Sequence, residues 1–300
     1  MNVLITGGTG FVGQHLTKAL TDKEHHVYIL TRFPDRHQDT ENTVFIAYDH
    51  PVSQLPNIHS VVNLAGDSLF GYWSSRKKDS IRNSRMETTM AVMNLVKNMD
   101  IKPDVFISGS AVGFYGMSED LMFTEQTTVQ GRDFLAKVVS EWEKTASQAE
   151  TMGIRTIYSR FGVILGEGGA YPLMRMPVKM YAGGKIGNGE QWMSWIHIKD
   201  AVRLLLFCLF NDHISGPVNF TAPEPRRNKE FMKELANILN RPYWLPAPAS
   251  IMTAALGEMS QLITKGQYVL PGKALEHNFQ FAYPTLKTAL TQLEKENRIN

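Results

Sequence analysis

A doubly wound α/β fold with a parallel sheet is predicted from three features of the chain. They are a strand, glycine turn and helix at the start, short apolar runs that recur along the first half, and helical stretches between them. Val3, Leu4 and Ile5 form an apolar run of the kind a buried parallel strand carries. Gly7, Gly8, Gly10 and Gly13 follow, and an amphipathic stretch begins at Phe11. In such a unit one glycine turns the chain, one lets backbone approach a pyrophosphate, and one lets the helix pack close to the strand. The open amides and positive end of that helix hold phosphate oxygens. Both Gly8-x-Gly10-x-x-Gly13 and Gly7-x-x-Gly10-x-x-Gly13 stand where this mechanism needs them. A dinucleotide site follows, with Gly7, Thr9, Gly10, Phe11, Val12 and Gly13 around the phosphates.

The second run, Val27–Leu30, ends in Thr31-Arg32-Phe33-Pro34. A site for NAD usually places an acid at this strand end to take both ribose hydroxyls. None occurs at positions 31 to 33, and the first is Asp35, beyond Pro34. Arg32 stands there instead, next to Thr31, and its planar fork suits a 2′-phosphate. The expectation is NADP(H) in preference to NAD(H); the plain alternative is an exposed loop arginine. Asp49 follows the third run, Val44–Ala47, and is expected to accept a bond from the adenine amine.

Further strand-like runs lie at Val61–Leu64, Val105–Ile107 and from Ile157 onward, separated by helical stretches at Ile81–Met99 and Phe134–Met152. After about Arg160 the regularity ends. A glycine-rich stretch from Gly166 to Gly189 surrounds one apolar helical segment, and Asp200–Phe210 reads as a helix returning to the core. Pro223, Pro225, Pro242, Pro246 and Pro248 then punctuate the chain. We expect a dinucleotide-binding domain over residues 1–165, rejoined by 195–222, and a smaller mixed substrate domain from 166–194 and 223–300. The cleft between them would hold a small molecule.

Composition fits an enzyme-sized globular protein: 300 residues with 43% hydrophobic content can bury a large core. Lys plus Arg total 31 against 29 Asp plus Glu, so the net charge of +2 speaks against a nucleic-acid or polybasic membrane surface. The run Ala201–Phe210 is about half the roughly 20 residues needed to span a bilayer, and Arg203 interrupts it. Cys208 is the only cysteine, offers neither disulfide nor metal cluster, and reads as a buried residue in a reducing compartment. With no cationic, apolar leader at the start, a cytoplasmic location is the expectation. No pair of histidines and carboxylates has ligand spacing on one helix, so no metal site is expected.

The TGGTGFVG start, Asn63-Leu64-Ala65-Gly66 and Ser108-Gly109-Ser110-Ala111-Val112-Gly113-Phe114-Tyr115-Gly116 resemble the extended short-chain dehydrogenase/reductase superfamily and its Rossmann fold. Within it the chain is similar to the atypical "epimerase family" proteins, whose C-terminal part is a domain of unknown function. Ile81-Arg82-Asn83-Ser84-Arg85, the segment from Gly187 through Ser194-Trp195-Ile196-His197 to Asp200, Asn219-x-Thr221-Ala222-Pro223 and Gly266-Gln267-x-Val269-Leu270-Pro271 carry that likeness from end to end. It implies cofactor contacts from Leu64, Ala65, Gly66, Arg85, Ser108, Lys137 and Arg160. It also implies a homodimer through the helices near 81–99 and 134–152. For Arg85 a phosphate or anionic ligand competes with a buried ion pair.

Working members of the superfamily use a Ser or Thr with Tyr-x-x-x-Lys on the following helix; the tyrosine moves a proton and the lysine lowers its pKa. Ser110 matches the serine and Lys137 the lysine, but four residues before Lys137 stands Asp133, followed by Phe134. The usual proton relay is therefore missing. Tyr115 is the candidate substitute, against an aromatic wall whose hydroxyl is satisfied locally. His197, three residues before Asp200 and expected to bond to it as readily as to a substrate, and Glu125 are weaker candidates. Trp192, Trp195, Tyr72 and Trp73 are expected to line a pocket or pack an interface. Two functions follow. One is an NADP-dependent oxidoreductase or epimerase acting on an unidentified small carbonyl or nucleotide sugar, with Ser110, Tyr115 and Lys137 as catalytic candidates. The other is a catalytically silent NADP(H)-binding redox sensor that reports to a partner.

Overall fold

The computed structural model describes residues 1–299. Seven parallel strands form one sheet in the order β11-β7-β5-β4-β1-β2-β3. They are β1 (Asn2–Thr6), β2 (His26–Leu30), β3 (Thr43–Ile46), β4 (Ser60–Asn63), β5 (Val105–Ala111), β7 (Arg155–Phe161) and β11 (Gly216–Phe220). Alternation along a strand sends neighbours to opposite faces. Val3 and Ile5 of β1 therefore pack with Leu16, Leu20, Leu204 and Leu205, while Leu4 packs on the other face with Val92, Val96 and Phe106. Helices α1 (Phe11–Thr21) and α6 (Ile198–Phe210) cover the first face; α2 (Ser75–Lys97), α3 (Phe134–Ala146) and the short α4 (Gln148–Thr151) cover the second. Burial on both faces is what makes these strands read as continuous apolar runs.

Three elements depart from the sequence reading. Helix α2 begins at Ser75 rather than Ile81, because Ser74 caps it by accepting from the Lys77 amide at 3.2 Å. The stretch 134–152 is two helices divided at Ser147. The sheet also gains β11, although Pro217 lies inside it; an edge strand is where a sheet tolerates proline. Between β2 and β3 there is only a 3-10 turn, Pro34–Arg36, and no crossover helix.

The remaining chain packs α5 (Tyr171–Lys179), α7 (Asn228–Ile238) and α11 (Leu286–Ile299) around Trp195, Phe231, Leu235 and Leu290. Three small pairs stitch it to the sheet's carboxyl edge: β6 (Met122–Phe123) with β13 (Tyr268–Val269), β8 (Val163–Leu165) with β10 (Trp195–His197), and β9 (Trp192–Met193) with β12 (Arg226–Arg227). Helices α8 (Ala249–Leu256), α9 (Gln261–Thr264) and α10 (Gly272–Glu276) complete the order. Among the described residues no helix is long and apolar enough to cross a membrane.

His197 and Asp200 hold this region through separate partners, without the hydrogen bond to each other that their spacing offered. Nδ1 of His197 accepts from the Lys199 amide at 3.1 Å, so Nε2 carries the proton and donates to Gln292 Oε1 at 2.7 Å. The buried Asp200 carboxylate instead accepts the Ala282 and Tyr283 amides, both at 2.8 Å, and Arg203 Nη1 at 2.8 Å. Its replacement by Ala should cost about 2 kcal/mol, since two half-buried amides and Arg203 lose their acceptor; chemical denaturation measures it.

Burial pushes His197 down to about 4, so in the folded chain the ring is neutral at neutral pH. Below its ordinary value of 6.5 the unfolded chain takes a proton that the folded one refuses until about 4. Stability is therefore intact above pH 6.5, falls through that window and levels off below it, a loss of about 3 kcal/mol. Urea-unfolding midpoints of the wild type and His197→Gln from pH 7 to 4 test this; equal slopes in both would refute it.

Candidate functional site

The carboxyl ends of the strands converge on the β1–α1 turn. Gly7 takes φ +70°, and a Cβ there would lie 2.8 Å from the Leu64–Ala65 backbone. A Cβ on Gly13 would come within 2.1 Å of the Gly7 carbonyl oxygen. Side chains are thus excluded where the turn meets the end of β4 and where α1 meets the turn. The Gly10 amide donates to the Gly7 carbonyl at 2.9 Å, and Gly10 heads α1 with no side-chain cap and no acid in the first turn. The amides of Phe11, Val12 and Gly13 are left open, beside Thr9, in the arrangement that holds phosphate. The Phe11 ring lies against the 166–169 loop, where a Cβ on Gly168 would meet it at 2.5 Å.

A buried chain of side chains ties this turn to both covering helices. Thr6 Oγ1 donates to Asn63 Oδ1 at 2.6 Å, Asn63 Nδ2 donates to Thr89 Oγ1 at 2.8 Å, and Trp142 Nε1 donates to the same hydroxyl at 2.9 Å. At the opposite end of the crevice, beyond β2, Thr31 Oγ1 accepts from the Phe33 amide at 3.3 Å. Arg32 is exposed with its guanidinium 5.8 Å from the Phe33 ring centre; Arg36 lies 4.2 Å from the same centre. Asp49 is exposed past the end of β3. Arg36 was not singled out from the sequence, although Arg-Phe-Pro-Asp-Arg carried the signal: a turn-forming Pro34 brings two cations to one ring.

The β5–β7–β11 register aligns Ser110, Arg160 and Asn219 in one row. Ser110 Oγ donates to Glu143 Oε1 at 2.5 Å, and Arg160 grips both oxygens of that carboxylate through Nε and Nη2, each at 2.8 Å. All three residues are buried. Ser110 thus spends its only proton inside the protein and offers a ligand lone pairs alone. Arg160 is held by Glu143 and covered by the Phe114 ring, 3.6 Å from its guanidinium carbon, rather than turned to the crevice. Ser108 is fully buried, its hydroxyl donating to the Gly109 carbonyl at 3.1 Å.

Tyr115 is buried, stacks on Phe123 at 5.2 Å and donates to Asn219 Oδ1 at 2.8 Å. Burial pushes its phenol up against the opposing charge of Arg160, the reverse of what an acid at neutral pH needs. Glu125 Oε1 accepts the Asn219 amide at 2.8 Å, and burial raises its carboxyl. Lys137 stands exposed on α3, whose buried face is Leu135, Val139, Trp142 and Glu143. The structure does not bring Lys137 to Ser110. Asp133 caps α3, accepting the Ala136 amide at 3.0 Å.

Nor do the four aromatics gather: Trp195 is fully buried and donates to the Glu224 carbonyl, Trp73 donates to Leu69, Trp192 packs on Tyr268, and Tyr72 is exposed. Among the described residues no cluster of three His, Cys, Asp or Glu side chains is placed to hold a metal ion.

Glu143 is the side chain on which the β5–β7 end depends. Glu143→Ala leaves Arg160 buried without a counter-charge and Ser110 without an acceptor, an expected loss of about 3–5 kcal/mol in urea denaturation. The pair replacement Glu143→Met with Arg160→Met should recover much of it, and a single-variant loss below about 1 kcal/mol would contradict the role assigned here.

Comparison with known proteins agrees with this geometry. The model of the NAD dependent epimerase/dehydratase family matches residues 3–219, and that of a domain of unknown function, DUF1731, matches 247–293. The chain is 47% identical over 297 residues to the epimerase family protein YfhF of Bacillus subtilis, covering 98% of each. It is 40% identical to the epimerase family protein SA0724 of Staphylococcus aureus, over 98% of this chain and 99% of that one. Among solved structures it is similar to human epimerase family protein SDR39U1 with NADPH, at TM-score 0.88 and 30% identity over 98% and 99% of the two chains. A UDP-glucuronic acid 4-epimerase from Bacillus cereus with NAD shares the fold at TM-score 0.76 and 16% identity, with each chain covered fully. The chain belongs to the NAD dependent epimerase/dehydratase family, with a DUF1731 domain at its C-terminal end.

Proposed function

We propose that this protein binds NADP(H) in preference to NAD(H) and exchanges a hydride between it and a small carbonyl or nucleotide-sugar ligand, from a cytoplasmic location. The observation that carries the cofactor is the β1–α1 turn, where open amides head α1 and the backbone packs so closely at Gly7 and Gly13 that no Cβ fits. Gly7–Gly13 would hold the pyrophosphate, Leu64 to Gly66 the adjoining edge, and Asp49 the adenine. Arg32, with Arg36 on the same ring, supplies the charge a 2′-phosphate takes. NADPH in the similar human structure supports this choice. When bound, the nicotinamide supplies or accepts the hydride.

A second reading, nucleotide binding without turnover, draws on a specific observation. The hydroxyl protons of Ser110 and Tyr115 are both given to protein acceptors, and Lys137 faces solvent. In that case NADP(H) occupancy would set the pose of the C-terminal elements that Asn219 ties to the sheet through the Leu270 carbonyl at 2.9 Å.

Fluorescence titration of NADPH and NADH tests the cofactor. Arg32→Asp should weaken NADPH about 10- to 100-fold and leave NADH nearly unchanged, as for loss of one charge-assisted phosphate contact. An unaltered ratio in that variant would remove Arg32 from the site. A screen of carbonyl compounds for NADPH oxidation, repeated with Tyr115→Phe, separates the two readings. Oxidation supports hydride exchange, and an unchanged rate in the variant takes Tyr115 out of it.

A further inference from the structure

Cations and acids are unevenly spread along the C-terminal half of the chain. Residues 168–189 and 235–257 contain no Asp or Glu, yet they carry Arg175, Lys179, Lys185 and Arg241. The two segments run side by side. The Trp244 and Leu245 amides donate to the Gly183 carbonyl at 2.9 and 3.1 Å, and the Ala247 amide donates to the Lys185 carbonyl at 2.9 Å. Their backbones pack directly, since a Cβ on Gly184 would lie 2.0 Å from the Leu245 carbonyl oxygen. Arg175 pairs with Glu294, but among the described residues no acid comes within ion-pair distance of Lys179, Lys185 or Arg241. Both lysines face solvent. By contrast Arg85 turns inward to the Ile81 and Asp67 carbonyls, at 2.8 and 3.2 Å, and the ion pair weighed for it from the sequence does not form.

The same platform exposes large apolar side chains. Leu173, Met176 and Met180 follow at spacings of three and four along α5 and its cap, opposite the buried Tyr171 and Val178, and each is more than half exposed. Tyr181 and Trp244 are 56% and 63% exposed. Trp244 Nε1 donates to the Tyr181 carbonyl at 2.9 Å, and the Arg241 guanidinium lies 4.4 Å from the Tyr181 ring centre, so both rings are held while facing water. Helix α8 continues the surface: it has no charged and no buried residue, and Ile251 is 60% exposed. Its far end is anchored, where Leu256 and Met259 join Trp73 and Glu258 pairs with Lys78. Apolar surface gathered in this way marks a contact site, whereas scattered exposed residues do not.

We propose that this face seats on the surface of an anionic lipid bilayer, with Tyr181 and Trp244 at headgroup level and the aliphatic side chains just below. Amphipathic rings suit that boundary, and the lysine stems can lie along it while their ammonium groups meet lipid phosphates. The eight residues of α8 are too few to span a bilayer and can only lie in its plane. A second copy of the chain fits less well, because a twofold contact would set these cations against themselves. The net charge of +2 hides the asymmetry by averaging this face with the acid-bearing remainder. The contact is separate from the dinucleotide crevice and does not rest on the cofactor reading.

The test is co-sedimentation of the full-length protein with phosphatidylcholine vesicles, with and without phosphatidylglycerol. Retention on the anionic vesicles that falls with added salt is expected, with a blue shift of tryptophan emission that Trp244→Phe removes. Lys179→Gln with Lys185→Gln should weaken binding about 25-fold, about fivefold for each cation near a charged bilayer. Met180→Glu should reduce it at least as far. Lys97→Gln with Lys144→Gln, at exposed sites on α2 and α3, is the control and should change nothing. All the substituted side chains are exposed, and thermal unfolding verifies that the variants fold. No retention on anionic vesicles, equal retention on neutral ones, or an equal loss in the control pair would overturn the proposal. So would unchanged retention in Met180→Glu and the Lys179–Lys185 pair. A dimer in sedimentation equilibrium that Met180→Glu disperses would give the face to a second copy instead.

Discussion

The buried relay Thr6–Asn63–Thr89–Trp142 sets the geometry of the crevice, because it joins four elements that are distant in sequence. Thr6 ends β1, Asn63 ends β4, Thr89 lies midway along α2, and Trp142 lies on α3. Each link is a short hydrogen bond among residues largely hidden from water, where an unmade bond is costly. The glycine turn can approach Leu64 and Ala65 only while β1 and β4 keep this register. Arg85, on the same helix as Thr89, lies against Gly66 with its guanidinium carbon 5.2 Å from the centre of the Trp142 ring that Thr89 holds. The open amides of α1, the Arg85 guanidinium and the Trp142 indole are therefore positioned around one polar thread through an otherwise apolar sandwich.

Beside it, the β5–β7 end is closed by a second buried polar set. Asp133 stands where the phenol would be and Lys137 faces outward, while the buried face of α3 presents Glu143, whose carboxylate gathers Ser110 and Arg160 into a closed set. A buried carboxylate must be paired, and a buried guanidinium likewise. Each satisfies the other, and the serine completes the carboxylate's shell. The hydroxyl proton of Ser110 and the fork of Arg160 are thereby both committed within the protein.

How far the sequence could be read depended on the range of the interactions involved. The glycine turn was legible because its requirements are local: a turn, a close approach and a helix start fall within seven residues of one another. Strands β1 to β5 and β7 were legible as apolar runs because they are buried on two faces, whereas the two-residue β6 carried no such run. The strand β11 escaped notice because only its last residues are fully buried and Pro217 argued against it. On α3, Glu143 falls on the stripe of Leu135, Val139 and Ala146, so its burial was encoded, but its partner Arg160 is supplied by a strand register that no local pattern reveals. Lys137 was assigned by motif spacing alone, and the same stripe puts it on the outside. His197 and Asp200 looked like partners by proximity in sequence; each found a partner in the C-terminal part of the chain instead.

The missing helix between β2 and β3 has an energetic consequence for recognition. β3 is paired on one side only, and the turn at Pro34–Arg36 has no buried residues, so this rim is less braced than the central strands. Immobilising it around an adenosine would spend conformational entropy that a helix-braced rim has already lost. Association there should accordingly be driven by enthalpy and oppose itself entropically, and solvent-exchange protection of the Phe33–Phe45 amides should rise on complex formation more than anywhere else in the fold.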